Sequence, residues 1–235
     1  STAPVGDNFD IDFVVHEMGH QLGANHTFTH ENENNSVNFE PGSGVTIMGY
    51  AGITDYDVAP HSIETFHAGS INQIQSNMVG KCSVNVAITH GAPVVNAGSN
   101  FTIPKSTPFV LTGSATDSNN STSLTYQWEQ FDDATSAIHF TTGSAASITK
   151  TGGANFRSYL PTTTPTRYFP NMTSTLNGSK TTTGSKILVE ALSSVARSLK
   201  FRLTARDNAI NGGQTNFGDV IVTVANKNAL SVSVS

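Results

Sequence analysis

The chain has 235 residues, a formal net charge of -5 and only 12% charged residues. This length suits one large domain or two of ordinary size, and two modules are the better starting expectation. The 12 lysines and arginines form no cluster, which gives no support to nucleic-acid binding. No apolar run reaches the roughly 18 residues of a membrane span. The single cysteine, Cys82, cannot form an intrachain disulfide, so we expect the core to hold the fold.

The first predicted element is an amphipathic helix from about Asp10 to Leu22. Apolar residues recur along it at helical spacing, and Asp7 and Asp10 favour its N-terminal end, where the helix dipole attracts negative charge. Gly23 follows directly, and a glycine there ends a helix because it accepts a positive φ without strain. The helix therefore carries most of the segment HEMGHQLGANH, residues 16–26.

A long loop and a second helix are predicted to follow. Residues 26–49 are rich in Asn, Glu, Gly and Ser, and they contain the turn signal Pro-Gly-Ser-Gly at residues 41–44. The second helix is predicted from about Ser62 to Val79, because apolar residues recur there at helical spacing before Gly80.

After Lys81 the composition becomes that of a β-sandwich, in which Thr and Val alternate with polar residues between turn clusters. Strands are predicted at residues 101–103, 109–113, 124–131, 198–206 and 219–225. Residues 143–186 are dominated by Thr, Ser, Gly and Pro and receive no assignment. The predicted division is an N-terminal part (residues 1–90), a β-domain (residues 91–228) and the start of a further strand or linker (residues 229–235).

A metal-ligand pattern lies in the first helix. His16 and His20 are four residues apart, so their imidazoles lie on one helix face and can bind one ion at about 2.0–2.1 Å. After the turn at Gly23 the chain returns His26 as a third nitrogen ligand. Three neutral imidazoles leave an ion its full charge and an open coordination site. The sequence therefore predicts one catalytic Zn²⁺ at these histidines.

Two further segments fit this interpretation. Glu17 is turned roughly 100° around the helix axis from His16, so it reaches a water at the metal and is predicted to act as general base. The segment TIMGY, residues 46–50, has the form of a Met-turn, with Met48 as an apolar floor beneath the metal. Tyr50 is either a group that approaches the zinc and stabilises the tetrahedral intermediate, or a tyrosine packed in the turn; the sequence supports both roles.

Together with this pattern, residues 6–15, 26–28, 40–52 and 66–71 resemble secreted bacterial reprolysin-like (adamalysin-type) metallopeptidases of the metzincin group. The likeness spans roughly residues 5–82. It implies an extracellular zinc endopeptidase that hydrolyses proteins or peptides, with a signal peptide upstream of this chain.

The second half looks like an Ig-like sandwich of the PKD or cadherin-like kind, with Trp128 in its core. The expected fold class is therefore α+β and multidomain. A mainly helical lower subdomain of a metzincin catalytic domain would precede an all-β Ig-like sandwich. The family places a sheet and two helices ahead of the zinc helix, whereas fifteen residues precede His16 here. We therefore expect the upper sheet to be absent, and the activity of this chain stays open.

The other histidines lie outside the motif spacing and are interpreted as surface or hydrogen-bonded side chains: His30, His61, His67, His90 and His139. The early aspartates do not match a calcium-binding EF-hand loop, and the loop glutamates are expected to face solvent. These residues are Asp7, Asp10, Asp12, Glu31, Glu33 and Glu40. Ca²⁺ binding by these carboxylates stays open as an alternative, but the sequence gives it no support.

Two functions of different classes remain open. The first is a zinc endopeptidase acting on extracellular proteins, in which the β-domain binds a glycan or a surface protein, or serves as a spacer. The second is a non-catalytic extracellular binding or adhesion module that carries an incomplete protease segment. Stoichiometric zinc and cleavage that depends on Glu17 would distinguish them. In either case we expect a monomer.

Overall fold

The computed structural model describes residues 5–33, 35–81, 87–88, 91–118, 124–135, 140, 144–210 and 212–229. Several predictions lie outside these ranges, namely those on Cys82, His90, His139, the turn residues 119–120 and 211, and residues 230–235. Within the described ranges, no helix combines the length and the hydropathy needed to cross a membrane.

The predicted first helix is confirmed, and it begins three residues earlier than expected. It has three consecutive pieces: α1 (Asp7–Phe9), a π-helical stretch η1 (Asp10–Val15) and α2 (His16–Gln21). Its inner side packs on the loop that follows, whereas Phe13, Val14 and Met18 remain 53%, 41% and 51% exposed. Two of the motif histidines lie on α2, the last piece of this helix, next to the loop.

The second helix, α3 (Ala68–Met78), begins six residues after the predicted start at Ser62. Residues 62–67 are not helical because their backbone groups bond to the preceding loop. Ile63 N–H donates to the Val45 carbonyl at 2.8 Å, and the Thr65 carbonyl accepts from Ile47 N–H at 3.0 Å. His67 then caps the helix, since its Nδ1 accepts from Gly69 N–H at 3.0 Å.

Among the residues that the structure describes, ten strands follow, all of them within the β-domain. Four form the main sheet in the order β2 (Phe101–Ile103), β10 (Thr215–Val224), β9 (Arg197–Arg206), β5 (Thr125–Gln130). β2 runs parallel to β10, and the other two pairings are antiparallel. The remaining strands form three pairs: β1 (Val94–Asn96) with β4 (Ser114–Thr116), β3 (Phe109–Thr112) with β6 (Thr166–Phe169), and β7 (Thr181–Thr183) with β8 (Leu188–Ala191). All five predicted strands are present, so the molecule combines helices and sheets as expected.

The unassigned stretch contains short elements that sequence periodicity does not reveal. Its described residues include β6, the short helix α4 (Met172–Leu176) and β7. β6 and β7 are four and three residues long, too short for alternation to stand out among threonines. The strands become recognisable only through their partners, as in the pairing of Phe109 with Phe169.

The β-domain has one aromatic and aliphatic core. On β9, alternate residues Leu199, Phe201 and Leu203 face this core and are at most 1% exposed. The ring of Phe201 lies 4.6 Å from that of Phe169 on β6 and 5.7 Å from that of Phe109 on β3, measured between centroids. β3 and β6 therefore share the core of the main sheet without pairing with it.

A second, smaller core joins the N-terminal part to the β-domain. Val45 and Val58 of the N-terminal loop pack with Val189 of β8, and all three are at most 1% exposed. The two parts also approach closely at Gly42, where an added Cβ would lie 2.2 Å from Cδ1 of Ile187. The loop that leads to the Met-turn segment is thus packed directly on the β-domain.

Core packing predicts a large stability difference between two identical substitutions. Leu203→Ala removes a fully buried side chain and should lower the free energy of unfolding by about 2–5 kcal/mol. Leu176→Ala removes a side chain that is 78% exposed and should change it by less than about 0.5 kcal/mol. Urea denaturation followed by tryptophan fluorescence measures both. Equal losses would contradict the described core.

Candidate metal centre

The three motif histidines converge in space. His16 and His20 project from α2, and His26 reaches them after the turn. The Nε2 atom of His26 lies 3.2 Å from that of His16 and 3.0 Å from that of His20. Ligand atoms of the three residues all lie within 4.8 Å of one another, so the cluster can bind a metal ion.

The other ring nitrogen of each histidine bonds to an oxygen acceptor. Nδ1 of His16 lies 2.6 Å from the Ile47 carbonyl, and Nδ1 of His20 lies 2.9 Å from the Ala24 carbonyl. Nδ1 of His26 lies 2.9 and 3.0 Å from the two carboxylate oxygens of Glu33. Since carbonyls and carboxylates only accept, each Nδ1 carries the proton and donates it.

The position of the ring protons determines whether the three histidines can bind a metal, because only an unprotonated nitrogen can act as a ligand. With Nδ1 protonated, the neutral form of each ring directs the lone pair of its Nε2 into the space that the three rings share. The lone pair of His26 then lies about 3 Å from those of His16 and His20, and such lone pairs repel one another unless a cation lies among them. Tetrahedral zinc would separate two such nitrogens by about 3.3 Å. The donor set therefore fits a zinc ion.

Burial favours the metal-binding form of His16. Its side chain is 4% exposed. Desolvation lowers the pKa of His16, and the hydrogen bond to Ile47 opposes this only in part. The imidazole is consequently neutral at pH 7, as a metal ligand must be.

A tight turn returns His26 to the helix. α2 ends at Gln21, and Gly23 has a φ of +99°, which a glycine accepts without strain. Helix α3 fixes this turn from below: Asn77 Nδ2 donates to the Leu22 carbonyl at 2.8 Å, and Gln73 Oε1 accepts from Asn25 N–H at 2.9 Å.

Met48 lies directly beneath α2. It is fully buried in a cluster with Ala24, Ile47 and Phe66. A Cβ at Gly19 would lie 2.4 Å from Met48 Sδ, so only glycine allows the helix to approach this closely. Sequence reasoning did not single out Gly19. A glycine inside a helix costs about 1 kcal/mol relative to alanine, and that cost was the available signal.

A buried carboxylate holds the loop in front of Met48. Glu40 is 1% exposed, so its predicted solvent-facing role is wrong. Its oxygens accept from Thr27 Oγ1 at 2.6 Å, Thr46 Oγ1 at 2.5 Å and Val45 N–H at 3.0 Å. These bonds join the residue after His26 to the start of the Met-turn segment. Nothing in the spacing of Glu40 distinguishes it from a surface glutamate.

Glu17 and Tyr50 lie at an open cleft beside the histidines. The cleft has a volume of about 410 Å³, and its lining includes His16, Glu17 and Tyr50. The ring centroid of Tyr50 lies 4.5 Å from that of His26. Burial, followed by nearby carboxylates, raises the pKa of Tyr50, so its phenol stays protonated and able to donate.

The described histidines outside the motif have other surroundings. The ring of His30 contacts that of Phe28 in a tilted arrangement at a centroid distance of 4.2 Å, His61 lies beside the Ser62 carbonyl, and His67 caps α3. Asp12 was considered as a calcium ligand from the sequence. Its carboxylate accepts from Ser62 N–H at 2.9 Å and so links η1 to the non-helical residues 62–67 before α3.

Comparison with known proteins agrees with this geometry. Residues 1–78 match the family model described as metallo-peptidase family M12B, reprolysin-like. That match includes the three histidines, Glu17 and Met48, and it supports a reprolysin-like metallopeptidase family for this part of the chain. Family M12B is zinc-dependent. Comparison with curated proteins and with solved structures found no match.

We expect one zinc ion per chain, bound through the histidine cluster. His20→Ala removes one of the three converging nitrogens and should reduce retained zinc below about 0.1 equivalent after dialysis, because two ligands do not complete a zinc site. The exposed His61 provides the matched control, and His61→Ala should retain a full equivalent. Metal analysis by mass spectrometry measures both. Full zinc retention by His20→Ala would contradict the cluster as the binding site.

Glu33 should tune zinc affinity although it is not a ligand. Glu33→Ala removes the acceptor that orients His26, and removal of such partners weakens metal binding by about 10–100-fold. Glu31→Ala is the control, since the side chain of Glu31 is 71% exposed and lies 4.0 Å from His30. Competition with a chromogenic chelator gives both dissociation constants. Equal affinities would show that the His26–Glu33 contact does not act on the metal.

Proposed function

We propose that the protein is a zinc-dependent endopeptidase whose metal ligands are His16, His20 and His26. One observation carries the proposal: three Nε2 lone pairs converge beside an open cleft, within a segment that matches a metallopeptidase family model. When bound, a zinc ion supplies Lewis acidity, which acidifies water and polarises a peptide carbonyl.

Glu17 is the proposed general base. It follows a ligand on the same helix, is exposed, and lines the cleft beside the histidines. Its carboxylate would accept a proton from the attacking water and deliver it to the departing amine, so that one residue serves as base and then as acid.

Tyr50 is proposed to stabilise the charge that develops on the carbonyl oxygen. Its phenol remains protonated, lines the same cleft and lies against the ring of His26. A donor fixed next to a developing oxyanion lowers the barrier because it needs no reorganisation during the reaction.

The proposed substrates are proteins or peptides, which is what the peptidase family implies. The resemblance to secreted reprolysin-like enzymes supports action outside the cell. In this proposal the β-domain also offers a surface for a glycan or a protein partner.

The role of Glu17 gives the sharpest test of the proposal. Glu17→Gln keeps the shape of the side chain but cannot take a proton, so casein cleavage should fall at least about 100-fold. Zinc content should stay at one equivalent, because Glu17 is not a ligand. Glu64→Gln, the same change at an exposed residue outside the cleft, should leave both unchanged.

Two results would overturn the proposal. The first is a Glu17→Gln variant that retains more than a tenth of the wild-type cleavage rate. The second is a wild-type protein that binds one zinc ion yet cleaves neither casein nor gelatin. The second result would favour a non-catalytic binding module.

A further inference from the structure

Strand β5 of the β-domain presents a buried polar face to the N-terminal part. Its residues alternate, and Tyr126 and Trp128 contribute to the β-domain core. Gln127 and Glu129 lie on the opposite face, yet they are only 3% and 0% exposed. Buried amides and carboxylates are stable only when they are hydrogen-bonded, so their partners show what this face is for.

Gln127 belongs to a hydrogen-bonded group that includes Thr65 of the N-terminal part. Arg206 Nη2 donates to Gln127 Oε1 at 2.7 Å and to Thr65 Oγ1 at 3.3 Å. Thr65 Oγ1 also lies within hydrogen-bond distance of Gln127 Oε1, at 3.4 Å. These bonds fix Thr65 against the β-domain.

From Thr65 the hydrogen bonds continue to the metal centre. The Thr65 carbonyl accepts from Ile47 N–H at 3.0 Å. The Ile47 carbonyl in turn accepts from His16 Nδ1 at 2.6 Å. The oxygen that orients His16 is therefore held by a residue that the β-domain anchors.

Glu129 bonds to the start of helix α3. Its Oε2 accepts from Ala68 N–H at 2.9 Å, where the helix dipole also favours a negative charge. Its Oε1 accepts from Ser158 Oγ at 2.9 Å and from Gln127 Nε2 at 3.2 Å. The carboxylate thus has partners at both oxygens and is fixed in place.

Helix α3 carries the effect of Glu129 to the third ligand. Gln73 and Asn77 of this helix bond to Asn25 and Leu22, the turn that returns His26. The N-terminal end of the same helix rests on Glu129. A shift of α3 would consequently move the turn and with it His26.

We propose that Gln127 and Glu129 are positioning residues of the metal centre, Gln127 through Thr65 for His16 and Glu129 through α3 for His26. The β-domain then supplies part of the support of the metal centre. This inference rests on the proposed zinc site.

Matched variants of the full chain separate positioning from general stability. Glu129→Gln keeps the size of the side chain and removes its charge. Glu190→Gln is the control: Glu190 is also 0% exposed, but its carboxylate bonds to Arg167, Asn171 and Thr182 within the β-domain. Thr65→Val removes the anchoring hydroxyl at nearly constant shape, and Thr65→Ser retains it.

Zinc affinity, measured by chelator competition, should fall by about tenfold in Glu129→Gln and Thr65→Val. It should stay within about twofold of wild type in Glu190→Gln and Thr65→Ser, even where thermal unfolding shows a loss of stability. The visible absorption bands of Co²⁺-loaded protein give a second readout. These bands should shift in Glu129→Gln and Thr65→Val, and they should coincide with those of the wild type in Glu190→Gln and Thr65→Ser.

The outcomes distinguish the two proposals. Wild-type affinity and Co²⁺ bands in both Glu129→Gln and Thr65→Val would overturn the positioning roles while leaving the zinc site intact. Equal loss of affinity in Glu190→Gln would also overturn them, because general destabilisation would then explain the effect. If a glutamate variant does not fold, the difference in zinc affinity between Thr65→Val and Thr65→Ser decides whether the positioning proposal holds. A wild-type chain that binds no zinc would overturn the metal centre itself.

Discussion

The candidate metal centre depends on three hydrogen bonds that fix which nitrogen of each histidine ring is protonated. Because Nδ1 donates to an oxygen in every case, the Nε2 lone pairs all face one small volume. Two of the acceptors are backbone carbonyls, those of Ile47 and Ala24. His26 instead bonds directly to a side chain, that of Glu33. The fold thus holds three mutually repelling lone pairs together, and a bound cation would relieve that repulsion.

The chain path around the site is maintained without regular secondary structure. Between α2 and α3 the described residues, 22–33 and 35–67, form turns and irregular loop, so their N–H groups need acceptors other than a helix or sheet. Two buried carboxylates provide many of them. Glu40 accepts from Val45 and Thr46, and Asp57 accepts from Gly52 and Thr54. Loss of Glu40 would leave the buried N–H groups of Val45 and Thr46 without these acceptors, which costs more than the loss of one bond.

Local patterns predicted the parts of the structure that are themselves local. The first helix and the spacing of His16, His20 and His26 follow from helical periodicity and a glycine turn, and five of the strands, the three longest among them, follow from side-chain alternation. The start of α3 was wrong because Thr65 bonds to Ile47, a contact that no periodicity reports. Glu40 was interpreted as a surface residue for the same reason, and Glu33, which is exposed as predicted, was not recognised as the partner of His26. Their roles arise from partners seven and six residues away across an irregular loop.

The close approach of Gly42 to Ile187 has an evolutionary consequence. A single methyl group at residue 42 would overlap the isoleucine side chain, and Gly42 itself has a φ of +55°. Neither surface can therefore change independently, and acceptable substitutions on one side should be accompanied by compensating ones on the other. Recombination that joins this N-terminal segment to the β-domain of a distant relative would bring together halves whose surfaces have not diverged in step. Exchange of intact two-part units would avoid that incompatibility.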